Sequence, residues 1–237
     1  MADSNHLNMT KAFMNWSGGK DSSLALYHSL NTPELSIDYL LTNISAEHNR
    51  ISMHGVSLDL LKMQAESINI PLETIPIVKN ATMEDYNTQV SEKMTFFTNQ
   101  NINTCVFGDI FLEDLKTYRE TQLKKVNITA QFPLWKRSTQ ELIQEFFDLG
   151  FKAKVVSINA KLLDKSFAGR ELDQTFIDDL PEGIDICGEN GEFHSFVYDG
   201  PIFKNPIPIT VVDIVKKEYK STENKDWDSA FWFTELI

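Results

Sequence analysis

Short apolar runs alternate with longer amphipathic stretches through the first half of the chain, and this alternation restricts the fold more than any other feature. Residues 12–16, 37–44, 72–77 and 104–107 predict buried strands, because each run is short and mostly bounded by polar or turn residues. Between them, apolar residues recur at near-helical spacing, as in residues 56–68. Strict alternation of strand and helix requires right-handed crossovers, so we expect an α/β fold with a doubly wound parallel sheet.

The pattern changes after about residue 130, where helix and strand no longer alternate. Ser138 and Glu141 predict a capping box at the start of a helix that Gly150 ends. We therefore expect two domains, an α/β nucleotide-binding domain over residues 1–132 and a smaller α+β substrate domain over residues 133–237.

The second domain contains further predicted strands at residues 154–158 and 193–198, and proline-punctuated strands within residues 202–215. Near its end lie four aromatic residues, Trp227, Phe231, Trp232 and Phe233. Their simplest interpretation is an apolar anchor that docks the C-terminus on the core, although they could equally cover a partner surface.

The stretch Ser17-Gly18-Gly19-Lys20-Asp21-Ser22 directly follows the first predicted strand. In parallel sheets the ligand binds beyond the carboxyl ends of the strands, which is where this stretch falls. The glycines let a ligand approach the backbone, and the first amides of a helix over residues 21–30 would attract an anion. The stretch therefore predicts a phosphate-binding loop, against the simpler alternative of a glycine turn capped by Asp21 or Ser22. Its spacing is not that of a Walker loop.

Composition excludes several classes of protein. With 237 residues, 42% hydrophobic and 24% charged, the chain is typical of a globular protein. Its net charge of -12 argues against nucleic acid as a partner. No apolar run approaches the roughly 18 residues of a membrane span, and the polar start predicts a cytoplasmic protein without a membrane segment. Cys105 and Cys187 lie too far apart in sequence to suggest a disulfide framework or a thiolate metal site.

The loop sequence from Ser17 to Ser22 resembles the SGGKDS loop of the PP-loop ATP pyrophosphatases. Further segments resemble the second half of the diphthine-ammonia ligases, so the resemblance covers nearly the full length. These segments are Pro133-Leu134-Trp135, Gly169-Arg170, the run CGENGEFHSF at residues 187–196, and Asp199-Gly200-Pro201-Ile202-Phe203. The CGENGEFH run is far more specific than the loop alone.

The resemblance implies an adenine nucleotide alpha hydrolase-like fold and an ATP-dependent ligase. Such an enzyme adenylates a carboxylate, that of diphthine or of a related acceptor, and ammonia then displaces AMP to give an amide. ATP and Mg²⁺ would be required, and a homodimer is left open. The alternatives are a sensor that binds ATP or AMP without turnover, and a PP-loop enzyme that modifies tRNA.

The resemblance also implies roles for particular residues. The phosphates would be held by Ser17, Gly18, Gly19, Lys20, Asp21 and Ser22, together with Gly108 at the same sheet edge. Adenine would meet the backbone of Thr42, Asn43 and Ile44. The expected catalytic residues are Lys20, Asp21, Asp109, Glu189, Glu192 and His194, and Asp21 and Asp109 would bind the metal. Asp109 is expected from its place at the same sheet edge and not from the resemblance.

Two of these assignments keep a structural alternative. Asp109 could hold Mg²⁺ or orient the amine, or it could only cap the next helix. Residues 189–194 could bind ammonia or supply a general base, or they could form a tight Asn190-Gly191 hairpin turn with exposed carboxylates.

In the diphthine-ammonia ligases the segment after the fourth strand reads approximately GAI, followed by a serine, a tyrosine-glutamine pair and an arginine. This chain keeps Gly108, Ile110 and Glu120, and it differs at five positions: Asp109, Leu112, Asp114, Leu115 and Tyr118. These differences leave the acceptor open more than the ATP chemistry. Elsewhere His54 could approach the nucleotide, and Arg119 and Arg170 could receive a phosphate or a carboxylate, although an isolated arginine more often pairs with a surface acid.

Overall fold

A computed structural model describes residues 9–51, 54–78, 82–219 and 229–237. Five strands form a parallel sheet: β1 (Thr10–Asn15), β2 (Leu35–Ser45), β3 (Leu72–Ile77), β4 (Thr104–Val106) and β5 (Thr129–Gln131). Their order across the sheet is β3-β2-β1-β4-β5, so the order reverses between β1 and β4. The carboxyl ends of these two strands therefore flank the switch point, where ligands bind in such sheets.

Helices cover both faces of this sheet, and this confirms the predicted α/β class. They are α1 (Lys20–Leu30), α2 (Leu58–Ile68), α3 (Met83–Thr98) and α4 (Glu113–Lys124). Alternate side chains of β1 point to opposite faces. Ala12 and Met14 enter the core that α1 and α2 share, whereas Phe13 stacks on Phe97 of α3 with 4.1 Å between ring centroids. Because both faces are buried, the strands are continuous apolar runs.

The second half forms a separate antiparallel sheet with helices beside it. Its elements are α5 (Thr139–Asp148), β6 (Lys152–Asn159), a 3-10 turn (Lys165–Phe167), α6 (Gln174–Asp178), β7 (Phe193–Asp199), β8 (Val211–Tyr219) and β9 (Ser229–Leu236). The strands lie in the order β7-β6-β9-β8. The C-terminal strand β9 is thus internal to the sheet, since it pairs with both β6 and β8.

Two local predictions in this half are corrected by the structure. Ser138 is the N-cap residue of α5, but its side chain makes no capping hydrogen bond, so the predicted capping box with Glu141 is wrong. Residues 202–210 are assigned to no strand, and β8 begins at Val211. The predicted aromatic anchor is part of β9: Phe231, Trp232 and Phe233 lie on that strand, Phe233 is buried, and Trp232 packs against the core. Trp227 falls outside the described residues. By contrast, Gly150 follows α5 with φ +78, the left-handed conformation expected just after a helix end.

One hydrophobic core runs from the helices of the first sheet into the second. Tyr27 of α1 meets Phe151 edge-on with ring centroids 6.3 Å apart, and Phe151 stacks on Phe146 of α5 at 4.9 Å. The residues of this core include Leu26 on α1 and Phe196 on β7. The two sheets are thus packed together close to the carboxyl end of β1.

Within the described residues, no helix is both long and apolar enough to cross a membrane.

Candidate active site

Two glycines let the loop after β1 pass close to α2 and β7. Gly18 has φ +74, and a Cβ atom there would lie 2.6 Å from Oε1 of Gln64. A Cβ atom on Gly19 would lie 3.0 Å from the carbonyl oxygen of Ser195. Only glycine fits Gly18, because the left-handed conformation and the short contact both exclude a side chain.

Gln64 of α2 holds this loop in place and was missed by the sequence analysis. Its side chain is fully buried and donates to the carbonyl oxygens of Gly18 (3.0 Å) and Val197 (2.6 Å). Its Oε1 accepts a hydrogen bond from Nε1 of Trp16 at 3.0 Å. A signal for it existed, because Gln64 is a polar residue on the otherwise apolar face of α2.

The N-terminus of α1 leaves amides free for an anion. The amide of Lys20 donates to Oγ of Ser195 (3.1 Å), and that of Gly19 donates to Oγ of Ser17 (3.3 Å). The amides of Asp21 and Ser22 form no hydrogen bond to any part of the chain that the structure describes. The first amides of a helix point outward with the positive end of its dipole, so this terminus fits a phosphate.

Lys20 supplies a buried positive charge beside these amides. Its Nζ lies 2.6 and 2.7 Å from the carboxylate oxygens of Asp21 and 3.6 Å from Oε1 of Glu189. Burial of the ammonium lowers its pKa, but the charges of Asp21 and Glu189 outweigh burial, and the net pKa is raised above the usual value. Lys20 is therefore charged at neutral pH.

Glu189 approaches the same place from the loop before β7. Its pKa is raised to about 7, mainly because the carboxyl is buried and also because Asp21 is negatively charged; Lys20 opposes both effects. A carboxyl that titrates near neutral pH can take up a proton during a reaction at that pH.

These groups line one cavity of about 660 Å³ at the switch point of the parallel sheet. Its walls come from the loop after β1, the segment after β4 and the loop before β7. The cavity brings together most of the residues that the sequence predicted for the site: Ser17, Gly19, Lys20, Asp21, Ser22, Gly108, Asp109, Glu189 and His194.

Asp109 and Gly108 form the wall after β4. A Cβ atom on Gly108 would lie 2.8 Å from the carbonyl carbon of Asp21, so this segment contacts the first turn of α1 directly. Burial raises the pKa of Asp109, while Arg119, whose Nε lies 3.2 Å from Oδ2, lowers it in part. The capping alternative for Asp109 is wrong, since the N-cap residue of α4 is Leu112 and no side chain caps that helix.

Two histidines, His54 and His194, stack against each other in the wall of the cavity. The sequence had indicated for His54 only that it could approach the nucleotide. The rings of His54 and His194 are 4.5 Å apart and 26° from parallel. Burial lowers both pKa values, that of His194 to about 4, and the nearby Lys20 adds to the effect. Nδ1 of His54 and Nε2 of His194 are buried without a hydrogen-bond partner among the described residues. Both rings are neutral at pH 7, and each has a buried nitrogen that the described residues leave without a partner.

The carboxylates of the cavity suit a cation brought in by phosphates. No group of three His, Cys, Asp or Glu side chains within the described residues could hold a metal ion alone. However, Asp21 and Asp109 both line the cavity, and Oδ2 of Asp109 is buried with no hydrogen bond from the described residues. Mg²⁺ is usually held by one or two carboxylates together with substrate phosphates, so the donor set fits Mg²⁺ bound with a nucleotide.

Both halves of the chain match models of known protein families. Residues 9–129 match the model of the diphthamide synthase N-terminal domain, and residues 138–234 match that of the C-terminal domain. The chain belongs to the diphthamide synthase family. This confirms the resemblance that the loop and the CGENGEFH run indicate.

Relatives of the chain include enzymes named diphthine–ammonia ligase. The protein from Schizosaccharomyces pombe is 23% identical over 220 residues, which cover 84% of this chain and 36% of the relative. That from Saccharomyces cerevisiae is 25% identical over 235 residues, covering 84% and 34%. The bovine protein is 31% identical over 110 residues, covering 44% and 41%. The chain thus spans well under half the length of these diphthamide synthase relatives.

Some predicted site residues lie outside the cavity of this diphthamide synthase family member. Thr42 is buried and its hydroxyl donates to the carbonyl of Trp16, Ile44 is buried, and Asn43 is exposed. None of the three lines the cavity, so their contact with adenine stays a prediction. Arg170 also lies elsewhere, paired with Asp179 at 2.8 Å.

Glu192 organises the loop before β7 rather than lining the cavity. It is 2% exposed, and its carboxylate accepts hydrogen bonds from the amides of Asp185 (3.1 Å) and Asn190 (2.8 Å). Its predicted catalytic role gains no support from these contacts. The hairpin alternative for this segment is wrong, because no strand precedes the Asn190-Gly191 turn and both glutamates are largely buried.

Proposed function

We propose that this chain is an ATP-dependent ligase that adenylates a carboxylate and forms an amide with ammonia, releasing AMP and pyrophosphate. The observation that carries the proposal is the position of Lys20. It is buried, charged and adjacent to the free first amides of α1, in the same cavity as Glu189 and His194. Membership in the diphthamide synthase family supports the same reaction.

In the first step a carboxylate oxygen of the acceptor attacks the α-phosphorus of ATP, and the bond between the α and β phosphates breaks. Negative charge then grows on the departing pyrophosphate. The amides of Asp21 and Ser22 and the ammonium of Lys20 are fixed before the reaction, so they stabilise this charge without reorganising. Mg²⁺ held by Asp21 and Asp109 would neutralise further phosphate charge.

In the second step the nitrogen of ammonia attacks the acyl carbon, and AMP leaves with the acyl oxygen. The nitrogen must also lose a proton to give the neutral amide. Glu189 is the group proposed to accept it, because its pKa of about 7 suits proton uptake at neutral pH. The neutral rings of His54 and His194 offer nitrogen atoms that can orient the nucleophile.

The acceptor is proposed to be diphthine or a related carboxylate. Diphthine is proposed because the relatives are named diphthine–ammonia ligase. A related carboxylate is proposed because the segment after β4 differs from that of the diphthine-ammonia ligases. The reaction would take place in the cytoplasm, where ATP is available.

The test is to incubate the protein with α-labelled ATP, Mg²⁺, ammonium and either a diphthine-containing elongation factor or a metabolite extract, and then to separate AMP from ADP. We expect AMP that depends on both acceptor and ammonium. Lys20→Ala should lower AMP formation at least a hundredfold, whereas Lys62→Ala, at an exposed lysine of α2, should leave it unchanged. Tight ATP binding with no AMP from any acceptor would reject the ligase and favour a nucleotide sensor.

A further inference from the structure

The helix that borders the cavity after β4 presents an apolar wall to it. Leu115 and Arg119 are four residues apart and share one face of α4, Leu112 is the N-cap residue that precedes the helix, and all three line the cavity. No residue of α4 is buried, and Leu112 is 42% exposed. The two leucines therefore lie against the open space of the cavity instead of packing into the core.

Arg119 lies at the inner end of this wall with unused donors. Its guanidinium carbon is 4.2 Å from the centroid of the Phe107 ring, which holds the group flat. Nε is buried, and although it is 3.2 Å from Oδ2 of Asp109, neither atom has a hydrogen bond of good geometry among the described residues. A guanidinium carries five N–H donors and matches a carboxylate with two parallel hydrogen bonds.

The balance of charge at this end favours a carboxylate over a polyphosphate. The Arg119–Asp109 pair has no net charge, so it can recognise a singly charged group through hydrogen bonds but gives little attraction to a group with several charges. The phosphates already have Lys20 and the amides of α1. A second carboxylate on the ligand would lie against Leu112 and Leu115 and lose its hydration there.

We infer that Leu112, Leu115 and Arg119 form the acceptor subsite, and that the acceptor is a small free monocarboxylic acid with an apolar body. Leu112 is 42% exposed, whereas the side chain of Arg119 is 23% exposed and therefore lies deeper in the cavity. The carboxylate of the acceptor would bind inward on Arg119, and its apolar body would lie outward on the leucines. This assignment rests on the proposed ligase function and names the class of its substrate.

The first test measures binding without turnover. The protein is saturated with Mg²⁺ and α,β-methylene-ATP, whose α–β linkage cannot be cleaved, and acetate, butanoate, hexanoate and succinate are titrated by calorimetry. We expect affinity to rise roughly three- to fourfold for each methylene that the leucines cover. Succinate should bind at least tenfold more weakly than hexanoate, because its second carboxylate would lose hydration against the two leucines.

Variants test the charged end and the apolar end of the acceptor subsite separately. Arg119→Met keeps the apolar stem but removes the donors, and should weaken hexanoate binding at least tenfold. It should weaken α,β-methylene-ATP binding much less, because Arg119 affects the nucleotide site only through Asp109. The double variant Leu112→Ser with Leu115→Ser should abolish the dependence on chain length. Matched controls outside the cavity are Arg137→Met and Leu162→Ser, which should bind like the wild type.

Three results would overturn the subsite. They are affinity that does not depend on chain length, loss of nucleotide rather than carboxylate binding in Arg119→Met, and AMP formation that requires a protein acceptor while the free acids do not bind. The last result would leave the proposed ligase intact. Conversely, chain-length-dependent binding of the acids with no AMP formed from any acceptor would support the subsite and reject the ligase.

Discussion

Gln64 shows how much one buried amide can contribute to the site. It is the hydrogen-bond acceptor for the indole of Trp16 and a donor to Gly18, and it has no exposed surface. Gln64→Met keeps the approximate shape but leaves the buried indole N–H without an acceptor. We expect a loss of about 2 kcal/mol in the free energy of unfolding, measured with urea.

Gln144→Met is the matched control, because Gln144 is exposed on α5 and bonds only the nearby Asp148. It should change stability by less than about 0.5 kcal/mol. Equal effects of the two substitutions would show that Gln64 does not hold the loop.

The neutral histidines make stability depend on pH. The folded-state pKa of His194 is about 4, below its ordinary 6.5, and that of His54 is also lowered. As pH falls from about 6.5 to about 4, the unfolded chain binds protons that the folded chain does not, so stability is lost in that window. Lys20, the cation facing His194, strengthens this effect.

We expect His194→Asn to reduce by about 2 kcal/mol the difference in unfolding free energy between pH 7 and pH 4.5, measured by urea denaturation at both values. His48→Asn, at an exposed histidine, should leave that difference unchanged. A pH dependence identical in wild type and His194→Asn would contradict the neutral buried ring.

At the scale of elements, the segment after β2 is held on the last strand of the chain. Arg50 donates to the carbonyl of Gly55 (2.8 Å) and to Glu235 of β9 (2.6 Å). Gly55 has φ +69, and a Cβ atom there would lie 2.7 Å from the ring of Phe233. These contacts position His54, the neighbour of Gly55, in the cavity wall.

A comparison of Gly55 with Gly150 separates the energetic cost of a clash with β9 from the cost of the left-handed backbone conformation. Gly55 and Gly150 are both left-handed, but nothing lies within 4 Å of a Cβ atom on Gly150. We expect Gly150→Ala to cost about 1 kcal/mol for conformation alone, and Gly55→Ala to cost about 2–4 kcal/mol because the methyl also meets Phe233. Thermal unfolding of both variants measures the difference, and equal costs would show that the segment does not dock on β9.

At the scale of the whole molecule, the shared core makes the two sheets one unit of stability. Tyr27, Phe151 and Phe196 connect α1 to the second sheet without a break. We expect a single urea transition with the same midpoint by far-UV circular dichroism and by tryptophan fluorescence. Two separated midpoints would show that the sheets unfold independently.

The parallel sheet could be predicted from the sequence because its strands are buried on both faces. Leu40 and Leu41, for example, enter opposite cores, so the strand is a continuous apolar run that is visible locally. Strand β9 could not be predicted in this way, since Thr234 and Glu235 interrupt its apolar residues and most of the strand is only partly buried.

The candidate site, too, could be predicted from the sequence only in part. The glycines and Lys20 follow a recognisable strand, so their place at the sheet edge follows from the sequence. The direction in which a side chain points, however, does not follow from the sequence. Glu189 and Glu192 are three residues apart, yet one faces the cavity and the other binds the amides of its own loop. His54 enters the cavity only because a distant strand holds its segment.

The hydrogen bonds between the loop after β1 and β7 also set the order in which the protein can be completed. The carbonyl of Gly18 accepts from the amide of Val197, and the amide of Lys20 donates to Ser195. A nascent chain that has left the ribosome only as far as α5 lacks the Val197 and Ser195 partners of this loop and has only its contact with Gln64. The proposed nucleotide site can therefore be completed during translation only after β7 has emerged.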